Sequence, residues 1–174
     1  MGLMKKNASY WIRKLQLSPH VEGGWFRESY RSAAKINAGG SIPSFPAERS
    51  ASTSIYFLLE KNQFSAFHRI RSDEQWHFYA GDPLMIYELW PDGRLQEHKL
   101  GNDPERGQSL QCTIMAGNWF ASKTAGEGAF TLAACTVSPG FDFSDFELAD
   151  RFELIRAFPA NRALIEALTH SSAK

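Results

Sequence analysis

A histidine and a glutamate close together in the sequence have the side chains best suited to chemistry. His68 lies in an apolar segment, and Glu74 follows it after the turn residues Ser72 and Asp73. A neutral imidazole can take up a proton or bind a metal, and a carboxylate can orient that imidazole or bind the same metal. The spacing leaves two interpretations open: a functional pair in a ligand site, or a hydrogen-bonded pair in a core.

The elements that position these two side chains are predicted to be strands. Successive side chains on a strand point to opposite faces, so Ile70 shares a face with His68, while Trp76 and Phe78 share a face with Glu74. If the Ser72-Asp73 turn pairs the two strands, both faces point into one interior. That interior is apolar and aromatic with two convergent polar groups, which is the usual composition of a small-molecule site.

The next histidine along the chain, His77, has the opposite parity from Glu74. We therefore expect His77 to point away from the interior, unless a bulge reverses it. Three charged residues of the first strand, Arg27, Glu28 and Arg31, are near enough in sequence to reach the pocket rim, although surface charge is the better explanation for them. Of the three, Arg27 is predicted to contact the ligand. The Glu22-Gly23-Gly24 sequence is interpreted only as a turn, for which glycine supplies the backbone freedom.

Short apolar runs separated by turn residues indicate an all-β fold, a sandwich or a barrel. A first strand is predicted from Trp25, a long loop over 33–50, and short helices near both ends, over 7–17 and over 161–169 with Asn161 as the cap. The sequence has no internal repeat or linker, so residues 1–174 are predicted to form one domain. The apolar runs span 52–59, 64–70, 74–79, 84–90, 95–100, 110–116, 118–122 and 129–137.

Composition excludes several classes of protein. The 19 basic and 19 acidic residues cancel, so there is no positive excess to bind nucleic acid. The two cysteines, Cys112 and Cys135, are far apart in the sequence and are expected to be reduced. With no apolar signal core at the start of the chain and no run long enough to span a bilayer, we expect a cytoplasmic protein without a membrane partner.

The His-x5-Glu-x6-Gly spacing of His68, Glu74 and Gly81 belongs to a wider pattern, and on that pattern the chain resembles the cupin superfamily. It is most similar to a branch of small cupins often labelled cupin-5. The resemblance implies a double-stranded β-helix, which is a jelly-roll barrel, and a homodimer. The segments that carry it are 20–26, 53–59, 67–69, 73–81, 116–120 and 135–141.

The chain departs from the metal-binding pattern of that superfamily. Three histidines and one glutamate bind the metal in metal-bearing cupins. His68 and Glu74 match two of these ligands, but Ile70 stands at the second histidine and Phe120 at the third. Because catalytic metal sites commonly keep three protein ligands, we predict a site with no metal and no other cofactor.

The resemblance leaves two functions open. The first is a small-molecule-binding module, for which a carbohydrate and a nucleotide sugar are candidate ligands. The second is a metal-free sugar-nucleotide epimerase or isomerase, in which His68 is the general base, Glu74 orients it and Tyr56 returns the proton. A nucleotide diphosphate needs basic residues, and the candidates are Arg27, Arg31, Arg69 and Arg71. The predicted ligand contacts are Arg27, His68, Ile70, Glu74, Trp76, Phe78 and Phe120.

Overall fold

The computed structural model describes residues 6–37, 45–126 and 128–170. Within this part of the chain, strands predominate over three short α-helices, as the sequence predicts. The predicted loop over 33–50 contains a short ladder, β3 with β4, and its residues 38–44 lie outside the described ranges. The strands are β1 Ser18–Pro19, β2 Trp25–Arg31, β3 Lys35–Ile36, β4 Arg49–Ser50, β5 Thr53–Glu60, β6 Phe64–Arg69, β7 Asp73–Gly81, β8 Leu84–Leu89, β9 Leu95–Leu100, β10 Gln111–Ile114, β11 Trp119–Thr124, β12 Phe130–Ser138 and β13 Glu147–Leu148.

Two larger sheets form the body of the fold. One has six strands in the order β1-β2-β5-β12-β7-β10, and the other has five in the order β13-β6-β11-β8-β9. The predicted pairing of β6 with β7 is wrong, because these strands belong to different sheets. The short connection between them crosses from one sheet to the other, and strand pairing is instead supplied by strands distant in the sequence. His68 and Glu74 are therefore on opposite sheets.

The inner faces of the two sheets pack against each other. Their main buried cluster joins Phe57 and Trp76 of the six-stranded sheet to Ile86 and Phe120 of the five-stranded sheet. Both sheets therefore lose apolar surface to one shared core, which is the dominant favourable contribution to folding. This packing leaves a cavity between the sheets, where the candidate site lies.

Helices cover parts of the outer faces. Helix α1 (Ala8–Leu15) is capped by Asn7, whose side chain accepts from the Tyr10 amide, and it packs on the six-stranded sheet. Two helices cover the five-stranded sheet, α2 (Arg151–Ala157) and α3 (Arg162–Ala167). Within the described ranges, no helix is long and apolar enough to cross a membrane.

The carboxyl-terminal prediction needs two corrections. The sequence analysis did not predict α2, although Asp150 caps it by accepting from the Glu153 amide. The Asp-x-x-Glu spacing was a usable helix-start signal. Asn161 makes no side-chain capping hydrogen bond to α3, because a turn of 3-10 helix, Pro159–Asn161, leads directly into that helix.

A buried ion pair fixes the segment 141–146, which connects β12 to β13. The Arg49 guanidinium donates to both carboxylate oxygens of Asp145, at 2.6 and 2.9 Å, and also to the Ser144 hydroxyl at 2.8 Å. The side chains of Arg49 and Asp145 are 5% and 4% exposed. The segment is thereby held against β4, and its aromatic residues form one wall of the candidate site.

Candidate functional site

A cavity of about 270 Å³ opens between the two sheets. His68 and Ile70 line it from one sheet, and Glu74 and Trp76 line it from the other. The alternation inferred from the sequence therefore brings these four side chains to one place, even though the pairing that was expected to do so is absent. The other lining residues are His20, Glu22, Phe26, Glu28, Arg31, Thr53, Ile55, Phe57, Cys135, Val137, Phe141, Asp142, Phe143 and Phe146.

The orientation of His68 is fixed by its backbone. Its Nδ1 lies 2.7 Å from the Ala66 carbonyl oxygen, which can only accept, so Nδ1 carries a proton. The second ring nitrogen, Nε2, lies 3.1 Å from Oε2 of Glu22. Phe120 packs against the imidazole with ring centroids 4.1 Å apart. Burial lowers the pKa of His68 despite opposing contributions from Glu74 and the Ala66 carbonyl.

Glu22 is the functional candidate that the sequence analysis missed. Its side chain is 7% exposed, its Oε1 accepts from the Ser65 hydroxyl at 2.9 Å, and its Oε2 lies 3.4 Å from Nδ1 of His20. Burial raises the pKa of Glu22 to about 7. Since neutral His68 presents a lone pair at Nε2, the protonated Glu22 can donate to it, and the two residues share one proton.

The turn before β2 determines where the Glu22 side chain lies. Gly23 has φ +115°, and a Cβ atom there would overlap the carbonyl oxygen of Phe64. The Glu22 carbonyl also accepts from the Ala66 amide at 2.8 Å, which ties the turn to β6. The signal in the sequence was the His-x-Glu spacing of His20 and Glu22 before two glycines. It could not show that this turn docks on β6.

Glu74 faces the cavity from the other sheet. It is buried, and burial raises its pKa to about 7, with the Glu22 charge adding to the shift and His68 opposing it. The thiol of Cys135 on β12 also opposes the rise in the pKa of Glu74. The carboxylate in contact with His68 is thus Glu22, whereas Glu74 acts on His68 through its charge.

Two predicted site residues point elsewhere. Arg27 donates to the Leu15 carbonyl and to the Gln16 side chain at the end of α1, on the outer face of the sheet. Tyr56 also lies on that outer face, where it packs in the cluster beneath α1. Both predictions are corrected by strand parity: the residues of β5 that line the cavity are Ile55 and Phe57.

The arginine that does reach the cavity is Arg31. The register of β2 against β5 shifts between Glu28 and Tyr30, so Glu28 and Arg31 both line the cavity although they are three residues apart. Arg31 donates to both carboxylate oxygens of Glu28, at 3.0 and 2.7 Å, and to the Phe141 carbonyl. Its charge is therefore matched by a neighbouring carboxylate.

Two predicted aromatic contacts, Phe78 and Phe120, are not among the described residues that line the cavity. Phe120 is fully buried against His68, and Phe78 packs at the edge of the main core. His77 has the outward orientation that parity predicts, with Nε2 3.2 Å from the Thr136 hydroxyl. Arg69 and Arg71 line a separate groove, where they pair with Glu147 and Asp145.

The ligand positions of metal-bearing cupins do not fit a metal here. Ile70, at the position of the second histidine, is an apolar part of the cavity wall. Phe120, at the position of the third histidine, packs on the His68 imidazole and offers no ligand atom. In the described ranges, no three His, Cys, Asp or Glu side chains are arranged to hold a metal ion. The predicted absence of metal stays a prediction.

A cavity between two antiparallel sheets, with a histidine and a glutamate facing it from opposite walls, defines the class of cupin jelly rolls. The chain belongs to the cupin superfamily, in the Cupin_5 (DUF985) family, whose model matches residues 9–149. The predicted resemblance is confirmed. The yeast protein YML079W (Saccharomyces cerevisiae) is 31% identical in an alignment of 143 positions that covers 77% of this chain and 71% of the yeast protein.

Solved structures agree with the fold. A hypothetical protein from Leishmania major has a TM-score of 0.87 at 35% identity, covering 95% of this chain and 99% of its own. Protein SO0799 from Shewanella oneidensis has a TM-score of 0.84 at 40% identity with the same coverage. A cupin 2 domain-containing protein from Halorhodospira halophila, at 13% identity, has a TM-score of 0.51 over 90% of this chain and 97% of that one, a likeness of fold alone.

Proposed function

We propose that this cupin binds a small organic molecule in the cavity between its two sheets. The observation that carries the proposal is the cavity itself: a volume of about 270 Å³ walled by apolar and aromatic side chains. Into it project the buried polar groups of Glu22, His68 and Glu74. Apolar walls provide affinity, and a small number of placed polar groups provide orientation, which is the usual division of labour in a ligand site.

The proposal predicts that a ligand found by screening metabolites for thermal stabilisation will depend on His68. We expect His68→Ala to raise the dissociation constant about tenfold or more, because about 1.4 kcal/mol of lost hydrogen bonding corresponds to a factor of ten. The matched control is His77→Ala, since His77 lies on the outer face. Calorimetric titration of both variants measures the difference. Equal weakening in the two variants would contradict binding in the cavity.

A second candidate is a metal-free epimerase or isomerase with His68 as the general base. The observation in its favour is the contact between Nε2 of His68 and Glu22, because a base that is oriented and paired with an acid is equipped for proton transfer. Glu22 takes the partner role assigned to Glu74 from the sequence. Nothing supports this candidate over binding alone. In particular, Arg27 and Arg69 are turned away from the cavity that a nucleotide diphosphate would occupy.

Solvent-deuterium exchange tests this second candidate. An enzyme of this kind incorporates deuterium from heavy water into its substrate, and His68→Ala abolishes the incorporation while His77→Ala keeps it. A panel of sugars and nucleotide sugars that shows no exchange removes the candidate. Metal content, measured by mass spectrometry on the same tag-free protein, checks the predicted absence of metal.

The proposed setting is cytoplasmic, and the proposed assembly is a homodimer. The outer face of the six-stranded sheet carries Tyr30 and Tyr79, which are 55% and 53% exposed. Together with a net charge of zero, such exposed aromatic surface favours self-association. Light scattering at monomer mass would contradict the dimer.

A further inference from the structure

The polar groups that line the cavity carry an excess of acid. Four of its lining residues have carboxyl groups, and one, Arg31, has a positive charge. Arg31 is matched by Glu28, with which it forms two hydrogen bonds. Burial lowers the pKa of His20 and His68, so both histidines are predominantly neutral at pH 7. Asp142 accepts from the amide and the hydroxyl of Ser144 and feels the charges of Arg49 and Arg31. Among the described lining residues, the carboxyl groups without a matching cation are therefore those of Glu22 and Glu74. An anionic ligand would meet like charge there.

Three phenylalanine rings form a corner of the same cavity. The ring centroids of Phe141, Phe143 and Phe146 lie 5.0 to 6.3 Å from one another, with interplanar angles of 69 to 79°. Rings at steep angles present faces as well as edges to a shared space. The face of an aromatic ring is electronegative and attracts organic cations, most effectively where water is excluded.

A buried donor in the cavity wall has no partner. The indole N–H of Trp76 makes no hydrogen bond to any described residue, although Trp76 is 1% exposed. An unsatisfied buried donor costs roughly 1–3 kcal/mol, and a ligand oxygen would remove that cost. Trp76 lines the cavity but its N–H is covered by protein, so a ligand oxygen that reaches it after a small shift of the indole is favoured over a purely apolar group.

We propose that the ligand of this cavity is an organic ammonium ion that also carries a neutral oxygen acceptor. The proposal names the ligand class for the small-molecule binding proposed above and rests on it. The ammonium group lies against the phenylalanine corner and the carboxylates, and the oxygen accepts from Trp76. At pH 7 and below, binding is an exchange of cations: the ammonium ion enters, the carboxyl group of Glu22 or Glu74 ionises, and its proton leaves to solvent.

Choline and its neutral isostere, 3,3-dimethylbutan-1-ol, test the charge directly. The two molecules have the same shape and the same hydroxyl, and differ in a quaternary nitrogen against a carbon. Calorimetric titration at pH 8 is expected to show choline binding at least tenfold tighter than the isostere, and the anion 3,3-dimethylbutanoate binding more weakly than either. Equal affinity for choline and the isostere, or no choline binding, overturns the proposal.

The proton exchange supplies a second readout. Choline has no proton to lose near neutral pH, so any proton released on binding comes from the protein. Glu74 is faced by Glu22 from the turn, His68 from β6, Cys135 from β12 and Cys112 from β10. Since the pKa values of Glu22 and Glu74 are raised to about 7, choline affinity rises with pH by up to tenfold per unit below 7 and levels off above it. A pH-independent affinity between 5.5 and 8 contradicts the exchange.

Matched variants locate the effect. Glu74→Gln keeps a polar side chain but cannot ionise, so it is expected to weaken choline at least tenfold at pH 8. It is also expected to reduce the proton release measured at pH 6. Glu97→Gln removes the same charge from an exposed site on β9 and leaves both unchanged. In the phenylalanine corner, Phe143→Leu is expected to lower the affinity for choline more than the affinity for the isostere. Phe152→Leu, at an exposed position of α2, is expected to leave both affinities unchanged. Equal effects within either pair overturn the assignment.

The outcomes separate this inference from the function on which it rests. If the metabolite screen finds a neutral or anionic ligand that depends on His68, the binding function stands and the ammonium proposal falls. If the screen and choline both give no binding, both proposals fall. Binding of choline that His68→Ala and Glu74→Gln leave unchanged places the ligand outside the cavity and also overturns the inference.

Discussion

Replacing Arg49 with methionine is expected to lower the free energy of unfolding by about 3–5 kcal/mol, because it leaves the Asp145 carboxylate buried without its partner. Arg71 lies 3.6 Å from Asp145 but is itself half exposed, so it compensates only weakly. Urea denaturation followed by tryptophan fluorescence measures the loss. The Arg49→Met substitution also removes the contact that holds segment 141–146, so we expect weaker ligand binding to accompany the lower stability.

The control for this prediction is Arg69→Met. Arg69 pairs with Glu147 at 2.7 Å, but their side chains are 42% and 54% exposed. An exposed ion pair contributes about 0–1 kcal/mol, so this variant stays near the parent in stability. The double variant Arg49→Met/Asp145→Leu removes both buried charges and is expected to recover part of the loss. Equal destabilisation by the two single variants would refute the claim that burial makes the Arg49 pair important.

Glu74→Gln is expected to make the protein more stable at pH 8 and not at pH 4.5. A carboxyl group whose pKa is about 7 in the folded chain and 4.5 in the unfolded chain keeps its proton to a higher pH when the chain is folded. The unfolded state therefore binds fewer protons over this range, and the stability that Glu74 contributes falls as pH rises through it. Between pH 4.5 and 8 this effect lowers the free energy of unfolding of the wild type by about 3 kcal/mol, and the Glu74→Gln variant does not show it.

The informative measurement is the difference in unfolding free energy between wild type and Glu74→Gln, followed from pH 4.5 to 8. His20 titrates in both proteins, so its contribution cancels in the difference. His68 loses the charge of Glu74 in the variant, so its pKa falls further, which shifts the difference in the same direction. The difference is expected to shift in favour of the variant by about 3 kcal/mol and then to remain constant above pH 8. Glu97→Gln serves as the flat control. A difference that does not change with pH would show that Glu74 is ionised in the folded protein.

Such a gain in stability on removing a polar group is expected where a residue is retained for binding and not for folding. Glu74 and Glu22 both line the cavity, and the charge of Glu22 adds to the burial that raises the pKa of Glu74. Two ionised carboxyl groups in one buried cavity oppose folding at high pH, and a bound cation would reduce this unfavourable free energy. The stability measurement and the choline titration therefore examine the same feature from the unliganded and liganded states.

The sequence by itself determined the local half of this arrangement. Alternation along each strand put Ile70 on the face of His68 and Trp76 on the face of Glu74, because the side-chain period of a strand is two residues. The same alternation correctly turned His77 outward. Turn residues at even spacing indicated the all-β architecture, and the His-x5-Glu-x6-Gly spacing with its flanking segments indicated a cupin.

Only the tertiary structure decided which strands meet. The Ser72-Asp73 turn favours a hairpin between β6 and β7, yet the two strands lie in different sheets. A short connection can turn back within one sheet or cross to another with similar local residues. The bulge in β2 brings Arg31 rather than Arg27 to the cavity, and the parity of β5 removes Tyr56 from it. The contact of Glu22 with His68 depends on a turn docking on a strand 43 residues away at Ser65, and such long-range packing leaves no periodic trace in the sequence.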